Sequence, residues 1–138
     1  MNGAVLKYNN VTHAQPNCPP DTTSERNYTA YRYVHSPITS NNFIPVAISS
    51  PSRNFGPGVP CSAFGLSLWA SEQQAMEKYE KLKRSCKMIR ESIGTHLARG
   101  DISSSDGLSS EVSKSGHIDL FEYSTCNLES RFTITRAL

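Results

Sequence analysis

None of the four cysteines, Cys18, Cys61, Cys86 and Cys126, stands at CxxC spacing from another, and none has a histidine at finger-like spacing. That argues against a structural zinc site. No apolar run approaches the roughly 18 residues of a membrane span. Ala4-Val5-Leu6 beside a lone Lys7 does not make a secretory signal. No glycine-rich loop opens a helix, so phosphate cradling has no support. No G-x-S-x-G elbow surrounds a serine, which leaves a nucleophilic serine without its usual setting. Charge is also scarce. Lys, Arg, Asp and Glu make up 19% of the chain and sum to +2, too weak and scattered a field for a nucleic-acid footprint.

What remains suits one domain. At 138 residues, folding buries roughly two thirds of the surface that the unfolded chain exposes. Apolar residues at 37% and aromatics at 9% supply one core. A chain of this size has core enough without cross-links, so the thiols are expected reduced and the protein cytoplasmic. The sequons Asn10-Val11-Thr12 and Asn27-Tyr28-Thr29 are then expected to be coincidental.

Residues 1–27 lack periodicity and hold Pro16, Pro19 and Pro20. They read as a loosely ordered N-terminal arm, laid over the domain or left free, with one α+β domain over 28–138. Thr29–His35 has the tyrosines and Val34 of a strand and stops before Pro37. Residues 36–60 form a long proline-rich loop that Phe43, Ile44 and Val46 are expected to pin to the core. Ala63–Trp69 is a second strand, with Phe64, Leu66 and Leu68 alternating with Gly65 and Ser67.

Ser71 and Gln74 make a capping box. The helix that follows carries Ala75, Tyr79, Leu82, Cys86, Ile89 and Ile93 at steps of three or four, and Gly94 stops it. Thr95–Ile102 reads as a third strand, 103–116 as a solvent loop, His117–Tyr123 as a fourth strand and Arg131–Arg136 as a fifth. The order lacks a βαβ rhythm. It predicts an α+β fold: an antiparallel or mixed sheet of about five strands with one long amphipathic helix packed on one face.

Period-2 facing singles out two charges. Arg32 shares a face with Ala30 and Val34, and Glu122 shares one with Ile118 and Leu120. A charge among apolar neighbours must be paired or shift its pKa. The structural reading is a partly buried Arg–Glu pair, or two unrelated charges. Ser67 faces away from Leu66 and Leu68, as a small residue on a sheet face or a ligand contact. His117 and Asp119 share the other face of their strand, where they are placed to share a metal or a proton. Cys61, after Pro60, reads as an exposed, reactive thiol or as a buried structural one, and the structural reading is the expectation.

Arg32 on an early strand, Ser67 on a strand entering a helix and Glu122 on a late strand resemble the arginine–serine–glutamate layout of one class of ADP-ribosyltransferases. The resemblance implies that Arg32 holds NAD phosphates, Ser67 supports the site and Glu122 contacts the nicotinamide ribose. The surroundings differ from that pattern, being Leu66-Ser67-Leu68 and, two residues before the glutamate, Leu120.

Phe43, Phe55 and Trp69, if exposed together, make an aromatic patch of the kind that anchors protein contacts. The leading expectation is therefore a small non-catalytic interaction protein: an accessory subunit, inhibitor or immunity-type protein. Its partner is another protein rather than nucleic acid or membrane, and it needs no cofactor or metal. Two alternatives stand beside it. One is an NAD-using transferase or toxin on Arg32, Ser67 and Glu122. The other is a small-molecule or nucleotide-binding module on the sheet face between the helix and residues 36–60.

Overall fold

Every strand pairs antiparallel to its neighbour. The computed structural model describes residues 5–12, 16–50 and 58–138. Its strands are β1 (Tyr28–Val34), β2 (Leu66–Trp69), β3 (His96–Ile102), β4 (Gly107–Ser109), β5 (His117–Glu122) and β6 (Thr133–Ala137). They form a six-stranded sheet in the order β4-β5-β2-β1-β3-β6. The helices are few: α1 (Asn9–Thr12), α2 (Val46–Ser49), α3 (Glu72–Ser85) and α4 (Ile89–Ser92). The fold is thus α+β with an antiparallel sheet. No helix among the described residues is long and apolar enough to cross a membrane.

Strand β4 lies inside the segment expected to be a solvent loop. Three residues, Gly107-Leu108-Ser109, are too few to show a period-2 pattern. Pairing with β5 makes them a strand, with Gly107 opposite Glu122. Gly107 has φ +158°, and a Cβ there would run into the Phe121 carbonyl oxygen.

The long helix is also interrupted. Its start is as expected, with Ser71 Oγ accepting from the Gln74 N–H at 3.1 Å. The chain leaves the helix at Cys86 (φ −122°, ψ 108°) and turns again as α4. A continuous helix from Glu72 to Ile93 would run roughly 33 Å, whereas a seven-residue strand such as β1 spans roughly 23 Å. After the break, Ile89 of α4 is buried. Beyond it, the Tyr79 hydroxyl donates to the Gly94 carbonyl at 2.9 Å. Gly94 (φ +156°) lies so close to β1 that a Cβ would come within 2.9 Å of the Val34 carbonyl oxygen.

The two faces of the sheet bury different sets of residues. On the first, Ala30, Val34, Leu66, Leu68, Ile118 and Leu120 pack under Phe43, Leu128 and Phe132. On the second, the helix face, Ala75 of α3 packs with Trp69, Leu97, Tyr31 and Tyr33. Towards the β4 edge, Phe64 and Phe121 meet Leu6, Ile48, Val59 and Cys18.

The described part of the arm is tied to this edge. The Lys7 N–H donates to the Glu122 carbonyl at 2.8 Å, and Ser24 and Ser109 exchange backbone hydrogen bonds. Cys18 and Cys61 are joined in a disulfide across a separation of 43 residues. This corrects the expectation of four reduced thiols. The arm folds back over Phe64 and Phe121, and that brings Cys18 to the lead-in of β2. Cys86 and Cys126 are free.

Candidate functional site

Strand alternation puts both singled-out charges on the first face, and each finds a different solution to burial. The Arg32 guanidinium donates from Nε to the Asn42 carbonyl at 2.7 Å and from Nη1 to the Ser67 carbonyl at 2.8 Å. Its Cζ lies 5.9 Å from the centre of the Phe43 ring. Burial draws its pKa down to about 10, against the pull of the Glu122 charge. Arg32 thus clamps the turn Ser40–Phe43 onto β2.

Glu122, at the end of β5, is 4% exposed. Its Oε2 accepts from Lys7 Nζ at 2.9 Å, and the same ammonium donates to the Cys126 carbonyl at 2.9 Å. Oε1 is buried with no N–H or O–H donor among the described residues, and the Cys126 thiol is hydrogen-bonded to the same carboxylate. Two neighbours register this desolvated charge. Burial and then the Glu122 carboxylate push the Cys126 thiol well up, and the same two causes raise the Tyr8 hydroxyl, with Lys7 opposing.

Glu122 is among the residues that line a cleft of about 510 Å³. Lys7 and Tyr8 of the arm form one side, Phe43 and Ile44 another, and the turn from Ser124 to Glu129 a third. Ser40, Ser124, Thr125 and Asn127 add neutral polar groups, and Glu122 and Glu129 set two carboxylates against the single ammonium of Lys7. A buried acceptor without a donor costs roughly 1–3 kcal/mol.

The three residues of the transferase-like layout are split by the sheet, with the Ser67 side chain on the face away from those of Arg32 and Glu122. Ser67 Oγ lies on the opposite face, 3.0 Å from His117 Nε2, and only the Ser67 carbonyl reaches Arg32. The Glu122 ion pair is with Lys7. His117 Nε2 also lies 3.6 Å from Asp119 Oδ1. Among the described residues no three His, Cys, Asp or Glu side chains cluster for a metal.

The aromatic patch needs correction as well. Phe43 is 6% and Trp69 5% exposed, and they belong to cores on opposite faces of the sheet. Phe43 meets Phe132 with ring centres 5.3 Å apart and planes tilted by 51°, and Trp69 lies beside Tyr33 and His117. Their area serves folding, since the sheet offers each a face to cover. Phe55 lies outside the described residues.

Lys7 and Cys126 were not singled out from the sequence. Both sit in segments without periodicity, and the one available signal was indirect: an acid on an apolar strand face needs a cation from somewhere. No family model matches this chain, and neither do the curated proteins or the solved structures.

Proposed function

We propose that the chain is a small-molecule-binding module, and that Glu122 is the residue that holds the ligand. The observation that carries this reading is the buried Oε1 of a residue that lines the cleft, with no N–H or O–H donor to it among the described residues. Clefts of a few hundred Å³ with an apolar floor and a few convergent polar groups are the usual form of such sites. Here Phe43, Ile44 and Leu128 supply the apolar part. Two carboxylates against one ammonium favour a ligand with positive charge, and Oε1 asks for a hydrogen-bond donor. The ligand is therefore a small amine-bearing molecule that donates to Oε1 while Lys7 keeps Oε2. Binding of this kind requires no covalent step. The protein-partner reading loses its anchors with Phe43 and Trp69 in the core.

A thermal-stability screen of small primary amines against their carboxylate counterparts tests the proposal. Binding to the folded state raises Tm as ligand concentration passes Kd. The reading expects amines to raise the Tm of the wild type and to lose that effect in Glu122→Gln. Equal responses to amines and carboxylates, or an unchanged amine response in Glu122→Gln, would overturn it.

A further inference from the structure

A second cleft, of about 470 Å³, opens on the helix face between α3 and strands β2 and β5. Tyr33, Trp69, Leu82 and Ile93 give it apolar walls, and Lys78 and His117 are its ionisable lining groups apart from the Tyr33 phenol. The Tyr33 hydroxyl is already spent on the Ala75 carbonyl at 2.7 Å. Trp69 is 5% exposed, and its Nε1–H is buried with no acceptor among the described residues. The indole also meets the His117 ring edge-on at 5.0 Å. Lys78 belongs to no ion pair among those found in the described residues. Among the described residues no Asp or Glu lines the cleft, and Asp119 on the same strand as His117 lies 3.6 Å from His117 Nε2.

We infer that this cleft binds a small apolar molecule carrying one carboxylate. The two unspent donors, the Lys78 ammonium and the Trp69 Nε1–H, take the carboxylate oxygens, and the aromatic and aliphatic walls take the body of the ligand. An indole N–H is a donor only, so a buried one without an acceptor calls for an acceptor on the ligand. A lysine on an apolar rim supplies the matching charge. Ser67 Oγ and His117 Nε2, 3.0 Å apart, border the same space and fix its polar corner. The chemistry is opposite in sign to that of the Glu122 cleft on the other face, and the two sites stand independently.

Trp69 is the only tryptophan in the chain, so its fluorescence reports directly on this cleft. The experiment is a titration of the full chain with 3-phenylpropionate, repeated with the neutral 3-phenylpropionamide. Wild type is compared with Lys78→Gln, an exposed position whose change leaves the fold intact, and with Glu122→Gln. A saturable change in Trp69 emission is expected with the acid. The amide should bind about tenfold more weakly, and Lys78→Gln should weaken the acid by about the same factor, as for loss of a hydrogen bond to a charged group. Glu122→Gln should leave the titration unchanged. No saturable change with the acid, equal affinity for acid and amide, or an unaltered Kd in Lys78→Gln would overturn the inference.

Discussion

Replacing Lys7 by Met removes the ammonium while keeping a side chain of similar length, and so isolates the charge that faces Glu122. The two ends of this ion pair differ in burial: the Glu122 side chain is 1% exposed and that of Lys7 28%. Removing one partner of a fully buried pair costs roughly 3–5 kcal/mol, and an exposed pair is worth about 0–1 kcal/mol. With one end buried and the other partly wet, about 2–3 kcal/mol is the expected loss. Part of it is the orphaned Cys126 carbonyl, which accepts from the same ammonium at 2.9 Å. For a domain of this size the loss corresponds to a fall in Tm of roughly 8 °C. Circular dichroism through thermal and urea unfolding reads both quantities. Most of the cost arises from a carboxylate left without its counterion, so adding Glu122→Gln to Lys7→Met should restore part of the stability. If Lys7→Met costs less than about 0.5 kcal/mol, or if the double variant is no more stable than the single one, the charge argument fails.

Two further expectations concern the packing that holds the site. Asp106 is 3% exposed and is gripped by the Arg131 guanidinium; burial pushes its pKa up, but the hydrogen bonds from Arg131 and the Ser103 N–H outweigh it and leave it lowered. A lowered folded pKa gives stability that is present above the unfolded value, near pH 4, and lost as pH falls through the folded one. Arg131→Met should therefore cost about 2 kcal/mol at pH 7 and much less near pH 2, by urea unfolding at the two pH values; a pH-independent cost would contradict the pairing. Gly100→Ala places a Cβ inside contact distance of the buried Phe132 ring, so a loss of about 1–3 kcal/mol from overpacking is expected. A neutral or stabilising result in thermal unfolding would mean that the Phe132 ring does not lie against Gly100.

The parts of the fold that follow from local periodicity were legible. Alternation in Thr29–His35 and His117–Tyr123 put Arg32 and Glu122 on the apolar face of their strands, where the structure has them. The Ser71–Gln74 cap marked the start of α3 because a cap is a matter of neighbouring residues. What needed tertiary contacts was not legible. The helix leaves its course at Cys86 and turns again as α4, and an apolar stripe alone does not show where a helix stops. Strand β4 exists only through its pairing with β5. The Cys18–Cys61 link joins two segments without pattern.

The candidate site divides along the same line. Glu122 stood out by its facing, but its cation, Lys7, and the thiol beside it, Cys126, come from irregular segments on either side of the chain. Phe43 and Trp69 were identifiable as large aromatics, whereas their burial on opposite faces depends on the turn at Ser40–Phe43 and on α3. Ser67 faces the helix side as alternation implied, and there it joins His117 and the second cleft.

Whether the Glu122 cleft takes an amine-bearing ligand is read from a titration of the isotope-labelled chain with a small primary amine, followed by two-dimensional NMR. The predicted result is a saturable set of shifts centred on the amides of Lys7, Tyr8, Glu122 and Cys126, absent in Glu122→Gln. Shifts centred instead on Trp69 and His117, or none at these four positions at millimolar amine, would contradict it.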